Sequence, residues 1–282
     1  MNRSAAAGLA LIVVSEALTL ARGEPFWSWN TPICWTGFIL FADGVVWRAR
    51  GTSWLRSAPG EFAILALLSI PLWLVFEFFN LYLDNWYYVG LPENYALRLF
   101  GYAWSFGTIW PAIFEGADLV GVLRPGGAGA AGKAGLLDPA LPARPAPPAS
   151  PVFPALSIAF GAAMLLWPIV WPSRYLAAPV WLGFIFLLDP INARLGAASL
   201  FADARAGRFD RLINLAASGL LCGLLWEFWN YWSRAKWHYT VPIMEHVKLF
   251  EMPLPGFLGF PAFALECFTM YVFVRQLARR AL

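Results

Sequence analysis

Histidine is nearly absent from this chain. His238 and His246 are the whole imidazole supply in 282 residues. That scarcity excludes membrane desaturases and hydroxylases of the histidine-box type, and haem bundles with paired axial histidines. A carboxylate-only metal site stays open, but no metal or cofactor is expected. Cysteine is scarce too: Cys34, Cys222 and Cys267 are far apart and embedded in apolar sequence, with no CxxC pair. No disulfide framework follows, and the three read as small core hydrophobes. Charge is the third shortage. Charged residues make up 13% of the chain and hydrophobic ones 60%, whereas a soluble domain carries roughly 25% charged residues. The composition is that of an integral membrane protein. The net charge is only +3, and Lys and Arg fall in loops rather than along a stripe, so nucleic acid is not a partner.

Long apolar runs take the place of charge. The expected fold class is all-α, a polytopic bundle of eight transmembrane helices near residues 5–21, 30–47, 61–84, 102–122, 154–171, 176–193, 212–232 and 254–276. The first run carries Glu16 and lacks a small-residue cleavage site, so it reads as a retained helix rather than a signal peptide. Basic residues follow every second run: Arg48, Arg50 and Arg56; Arg124, Lys133 and Arg144; Arg194, Arg205, Arg208 and Arg211; Arg275, Arg279 and Arg280. The positive-inside rule then puts both termini in the cytoplasm, in a cytoplasmic (inner) membrane. The opposite loops are rich in Trp and Tyr: Trp27-Ser28-Trp29, Trp86-Tyr87-Tyr88 and Trp237-His238-Tyr239. They read as an aromatic belt at the membrane boundary.

Residues 124–152 are a Gly, Ala and Pro tract that cannot build a core and reads as a cytoplasmic linker. It separates a first four-helix unit, residues 1–123, from a second, residues 153–282. The units match each other in order. Trp35-Thr36-Gly37-Phe38-Ile39 aligns with Trp181-Leu182-Gly183-Phe184-Ile185, Asp43 with Asp189, and Arg48 with Arg194. Phe76-Glu77-Phe78-Phe79-Asn80 aligns with Trp226-Glu227-Phe228-Trp229-Asn230, Trp86 with Trp237, and Pro111-Ala112 with Pro261-Ala262. Each proline precedes an acid, Glu115 or Glu266. This is an internal repeat. Four helices is an even number, so both copies insert the same way, related by a pseudo-two-fold along the membrane normal.

Ionisable residues inside apolar helices mark function. The candidate catalytic set is Glu227, Glu266, Asn230, Glu77, Asn80 and Glu115. Glu and Asn three residues apart share a helix face, so each amide is expected to orient its acid. All four acids are expected to converge on a mostly dry cavity in the outer half of the membrane. Low polarity favours the neutral form of a carboxyl, which can then donate a proton. Asp43 and Asp189 are expected to be structural anchors that pair with nearby arginines. The run Phe250–Pro261 holds three prolines and two glycines before the last helix, a broken start suited to lining a cavity. The flanking aromatics Phe76, Phe78, Phe79, Trp226, Phe228 and Trp229 face core or lipid, or stabilise a carbocation.

An acidic helix, a Trp-x-aromatic stretch and a proline helix with glutamate recur in order: Glu77, Trp86-Tyr87-Tyr88 and Pro111 to Glu115, then Glu227, Trp237-His238-Tyr239 and Pro261 to Glu266. This order resembles the lycopene-cyclase-domain proteins and the wider group of membrane carotenoid cyclases and hydratases. Where that family has adjacent glutamates after the proline, this chain has Glu266 alone, followed by Cys267. The resemblance implies acid-initiated, non-redox chemistry on a long isoprenoid lipid. Two alternatives stand beside it: a proton-coupled transporter or channel with the glutamates as relay, and a non-catalytic lipid- or pigment-binding membrane subunit. A transporter requires a polar path to both faces. A lipid enzyme requires an apolar tunnel that ends at the acids. A scaffold requires fully bonded acids and no cavity.

Overall fold

A computed structural model describes residues 2–124, 146–147, 150 and 152–281; most of the expected linker lies outside the described residues. The long helices are α1 (Arg3–Leu20), α2 (Phe26–Arg50), α4 (Pro59–Leu83), α5 (Tyr95–Gly107), α6 (Ile109–Leu123), α7 (Val152–Val170), α8 (Ala177–Arg194), α10 (Asp210–Trp232) and α11 (Gly259–Ala281). Short helices α3 (Trp54–Ser57) and α9 (Leu200–Arg205) follow α2 and α8, and a 3-10 turn, Leu254–Leu258, leads into α11. Local signals set the ends. Asn2 and Asn94 cap α1 and α5 through side-chain bonds to Ala5 N (2.9 Å) and Leu97 N (3.1 Å), and Pro59 opens α4, where no amide hydrogen is needed.

Six of these segments are long and apolar enough to cross a membrane: α1, α4, α5 with α6, α7, α10, and the 3-10 turn with α11. The fold is all-helical apart from short strands. Both α2 and α8 are helical where expected but less apolar, for a packing reason. α2 lies against α1, α6 and α10, and α8 against α7 and α11. Their neighbours take the lipid-facing role, so they bury Asn30, Thr31, Asp43, Asp189 and Asn192. Small residues let the outer helices close on them. A Cβ placed on Gly8 of α1 would lie 2.4 Å from Gly37 O of α2. One placed on Gly161 of α7 would lie 2.4 Å from Leu187 N and 2.7 Å from Gly183 O of α8. Packing without room for a methyl replaces the hydrophobic effect as the binding force between helices.

The expected helix at 102–122 starts earlier and is broken. Ser69 of α4 inserts its hydroxyl between two groups that would otherwise bond each other: it donates to Phe106 O and accepts from Trp110 N (3.1 Å). A side chain inserted into the ladder splits the helix into α5 and α6. In the second half, prolines before α11 break the corresponding helix.

One end of the bundle gathers ion pairs. Arg50 contacts Asp118 at 2.5 Å, beside a Trp54 Nε1 bond to the same carboxylate (3.1 Å), and Arg275 contacts Glu61 at 2.6 Å. Asp43 meets a nearby arginine as expected, Arg56 rather than Arg48, whereas Asp189 is held by a hydroxyl and backbone amides. Asp43 accepts from Leu55 N (3.0 Å) and lies 3.7 Å from Arg56. Asp189 accepts from Ser199 Oγ (2.6 Å), Leu200 N (2.7 Å) and Phe201 N (2.9 Å). Each aspartate pins the short helix that follows, because unpaired amides at a helix start are the nearest donors.

At the other end, strand β1 (Trp86–Val89) pairs antiparallel with β2 (Lys236–Tyr239). Trp86 faces Tyr239 and Tyr88 faces Trp237, so the ladder reads alike from either strand. A second small ladder joins β3 (Lys248–Leu249) to β4 (Met252–Pro253). The belt reading therefore fails for Trp86 and Trp237, which are buried; strand pairing turns them inward.

The Gly8 contact is testable. Gly8→Leu should separate α1 from α2 and lower the thermal midpoint of the detergent-solubilised protein, at an overpacking cost of about 1–3 kcal/mol. Exposed Gly60→Leu, whose Cβ would meet nothing within 4 Å, should not show the close-packing effect.

Candidate functional site

Beneath the β1–β2 ladder lies a cavity of about 510 Å³ walled by aromatic side chains, among them Trp35, Trp73, Trp86, Trp181, Trp226 and Trp237. Each half contributes a wall to the other. Trp35 of α2 meets Trp226 of α10 at 5.9 Å between ring centroids, and Trp181 of α8 stacks on Phe76 of α4 at 5.1 Å. Trp73 joins the halves through Trp226 (5.7 Å) and Phe263 (5.8 Å). The volume falls within the range of small-molecule sites, about 300–1,000 Å³.

None of the four candidate acids forms the cavity wall, a correction to the expected convergence. Glu77 and Glu227 stand one hydrogen bond behind it. Glu77 Oε1 accepts from Tyr88 OH (2.5 Å), Trp73 Nε1 (2.8 Å) and Trp86 Nε1 (3.3 Å). Glu227 Oε1 accepts from Tyr239 OH (2.7 Å), which accepts in turn from Trp237 Nε1 (2.8 Å). Tyr88 and Tyr239 both line the cavity. Sequence reasoning treated these tyrosines as belt residues; the signal that could have found them is Trp-x-Tyr recurring at matching places in both halves.

Glu115 and Glu266 lie elsewhere. Glu115 is fully buried in α6, near enough to Asp43, Asp118 and Arg50 to feel their charges. Neither of its oxygens has a hydrogen-bond partner among the described residues. Glu266 accepts from Phe184 N of α8 at 3.0 Å, and its Oε2 is buried without a partner there. The proline-to-acid spacing that made these two look equivalent differs by one residue, enough to rotate a helical side chain by about 100°.

The amides do a different job from the one expected. Asn80 donates to Trp86 O (2.8 Å) and its Oδ1 accepts from Asn85 N (2.8 Å) and Trp86 N (3.3 Å). Asn230 donates to Trp237 O (2.9 Å) and accepts from Trp237 N (2.9 Å). Each amide clamps the strand after its helix, not its acid, because one carboxamide satisfies both the N–H and the C=O of a single residue. Asn and Glu thus cooperate at one remove: Asn fixes the strand whose tyrosine covers Glu.

Strand β2 also carries a third cluster. Glu251 contacts Lys236 (2.7 Å) and His238 Nδ1 (3.0 Å). Burial would raise the Glu251 carboxyl, but the hydrogen bonds and charges of Lys236 and His238 hold it below its ordinary value. Among the described residues no group of three or more His, Cys, Asp or Glu could hold a metal ion.

Comparison with known proteins returns no matching protein family, no matching curated protein and no matching solved structure.

Two outcomes follow. Asn230→Leu and Asn80→Leu should each destabilise the protein by about 1–3 kcal/mol or more, the cost of orphaned backbone groups, read as comparable drops in thermal midpoint in detergent. Because the Glu251 pKa is depressed on folding, its contribution is complete above the ordinary carboxylate value of 4.5 and lost as pH falls through the folded value. Tryptophan emission should report loosening of β2 in that acid window, and Glu251→Gln should flatten the transition.

Proposed function

We propose that this chain is an integral membrane enzyme that binds a long apolar lipid of the isoprenoid class in the aromatic chamber and carries out acid–base chemistry on it. The observation that carries this reading is the pairing of a chamber-lining tyrosine with a glutamate directly behind it, found twice: Tyr239 with Glu227 and Tyr88 with Glu77. Eight spans in two tandem four-helix repeats complete the reading, with α2 and α8 as interior spans. Support comes from the self-matching ladder, the twin amide clamps, the glycine contacts of α1–α2 and α7–α8, and the reciprocal Trp35–Trp226 and Trp181–Phe76 contacts. The arginine-rich end of the bundle supports cytoplasmic termini.

Burial, and then the Glu227 carboxylate, hold the Tyr239 hydroxyl well above the usual tyrosine range, so it serves as a relay rather than as a charged base. With its carboxyl protonated, Glu227 passes that proton to the tyrosine oxygen while the tyrosine hydroxyl proton, turned from the acid toward the chamber, adds to an alkene carbon of the lipid. The carbocation formed is stabilised by the faces of Trp226 and Trp181. Loss of a proton from a neighbouring carbon returns one through Tyr239 to Glu227 and closes a neutral cycle. Cyclisation or double-bond migration results; addition of water to the cation gives hydration.

A second reading, binding without turnover, has its own support: the tyrosines stand between both acids and the chamber. A carrier has less support, since the wall is apolar and aromatic almost throughout.

The test compares extracted lipids from cells with and without the gene. Expression should convert one apolar lipid into an isomer or hydrate. Tyr239→Phe and Glu227→Gln should cut conversion by about a hundredfold or more. Glu266→Gln, away from the wall, should retain it. Identical lipids with and without the gene, while lipid still copurifies with the protein, would leave the binding role only.

A further inference from the structure

The chamber is apolar, yet its wall carries a cation with no carboxylate partner and a buried N–H with no acceptor among the described residues. Arg98, half-buried on α5, lines it. Its Nε donates to Pro92 O at 3.0 Å, and no carboxylate stands within ion-pair distance of it among the described residues. Lys236, the other cation on the wall, is already neutralised by Glu251 at 2.7 Å. Trp35, on the same wall and 2% exposed, has an Nε1–H without an acceptor among the described residues. A half-buried cation with no carboxylate partner at the edge of an apolar cavity is placed to receive an anion.

We propose that the ligand is an isoprenoid with an anionic phosphate head group, seated with its phosphate on Arg98 and its tail among the tryptophans. This rests on the lipid-binding reading above and narrows its substrate class. Arg suits a phosphate because its two terminal nitrogens present parallel donors to two oxygens. Its place on the helix orients the ligand. Tyr102 is one turn on from Arg98 and its ring lies 5.6 Å from that of Tyr88, which is bonded to Glu77. The head group therefore sits on the Glu77 side, and the tail runs toward Tyr239 and Glu227, where the alkene chemistry is placed. The asymmetry has a sequence basis: Arg98-Leu99-Phe100 in the first half matches Lys248-Leu249-Phe250 in the second, and Lys248 is exposed and does not line the chamber.

The experiment titrates the full-length protein in detergent with geranylgeranyl monophosphate, geranylgeraniol and dioleoyl phosphatidic acid, followed by quenching of tryptophan emission. The phosphate should bind at least tenfold more tightly than the alcohol. Arg98→Gln should abolish that preference while leaving the affinity for the alcohol unchanged, and Arg98→Lys should restore part of it. Unequal loss guards against misfolding, since a misfolded variant loses the alcohol as well; in that event Arg98→Lys alone decides. Equal affinity of the wild type for phosphate and alcohol, or a preference that survives Arg98→Gln, overturns the head-group assignment and leaves the lipid-binding reading standing. Phosphatidic acid binding as tightly as the isoprenoid phosphate overturns the isoprenoid tail in favour of a glycerolipid. Failure of all three to bind overturns both readings.

Discussion

The chamber depends on one repeated device: a carboxamide on a helix holds the backbone N–H and C=O of a tryptophan on the strand that follows. Asn80 does this for Trp86 and Asn230 for Trp237. The clamp sets how far each strand leans over the bundle. That fixes which way Trp86 and Trp237 turn, and it brings Tyr88 and Tyr239 onto the acids one turn below each amide. A hydrogen bond inside an apolar surround is stronger than in water, and its loss is correspondingly costly. Two such bonds to the backbone of one residue therefore define a position that hydrophobic contact alone, being non-directional, leaves loose.

Polarity in this molecule is layered. Ion pairs such as Arg50–Asp118 and Glu61–Arg275 close one end. Clamped strands and the Glu251 cluster close the other. Between them, polar groups are rationed: Glu77 is engaged by tyrosine and tryptophan and Glu227 by Tyr239, while Glu227, Glu115 and Glu266 each keep a buried oxygen without a partner among the described residues. Buried Asn30, Thr31, Asp43, Asp189 and Asn192 sit on α2 and α8, the helices shielded by α1 and α7 through the glycine contacts. Close packing and polar content are thus linked: removing the first would expose the second to lipid.

Much of this was legible in the sequence. Apolar runs located the long helices, with α5 and α6 read as one, because exclusion from water leaves a composition signal that needs no partner. The matched Glu–x–x–Asn pairs located the two places where the chamber is organised. What was not legible is whatever depends on a group distant along the chain. Ser69 splits α5 from α6 from another helix altogether. The amides looked like partners of their acids, since helical spacing shows which side chains share a face but not which backbone will arrive beside them. Trp86 and Trp237 looked like boundary residues because a short aromatic run reads alike whether it lies in an interface or pairs with a second strand. Glu115 and Glu266 shared a proline landmark, and a difference of one residue sent them to different surroundings.

The ladder that covers the chamber joins Trp86 to Tyr239 and Val89 to Lys236, segments made far apart in time. A ribosome delivers β1 and all of α4 to α8 before β2 emerges. Throughout that interval β1 presents free backbone edges and an uncovered tyrosine, an arrangement that invites mispairing. Its protection in the meantime falls to Asn80, which is already in place. Closure is thus a late event in biogenesis: a chain truncated before residue 236 has only half a roof.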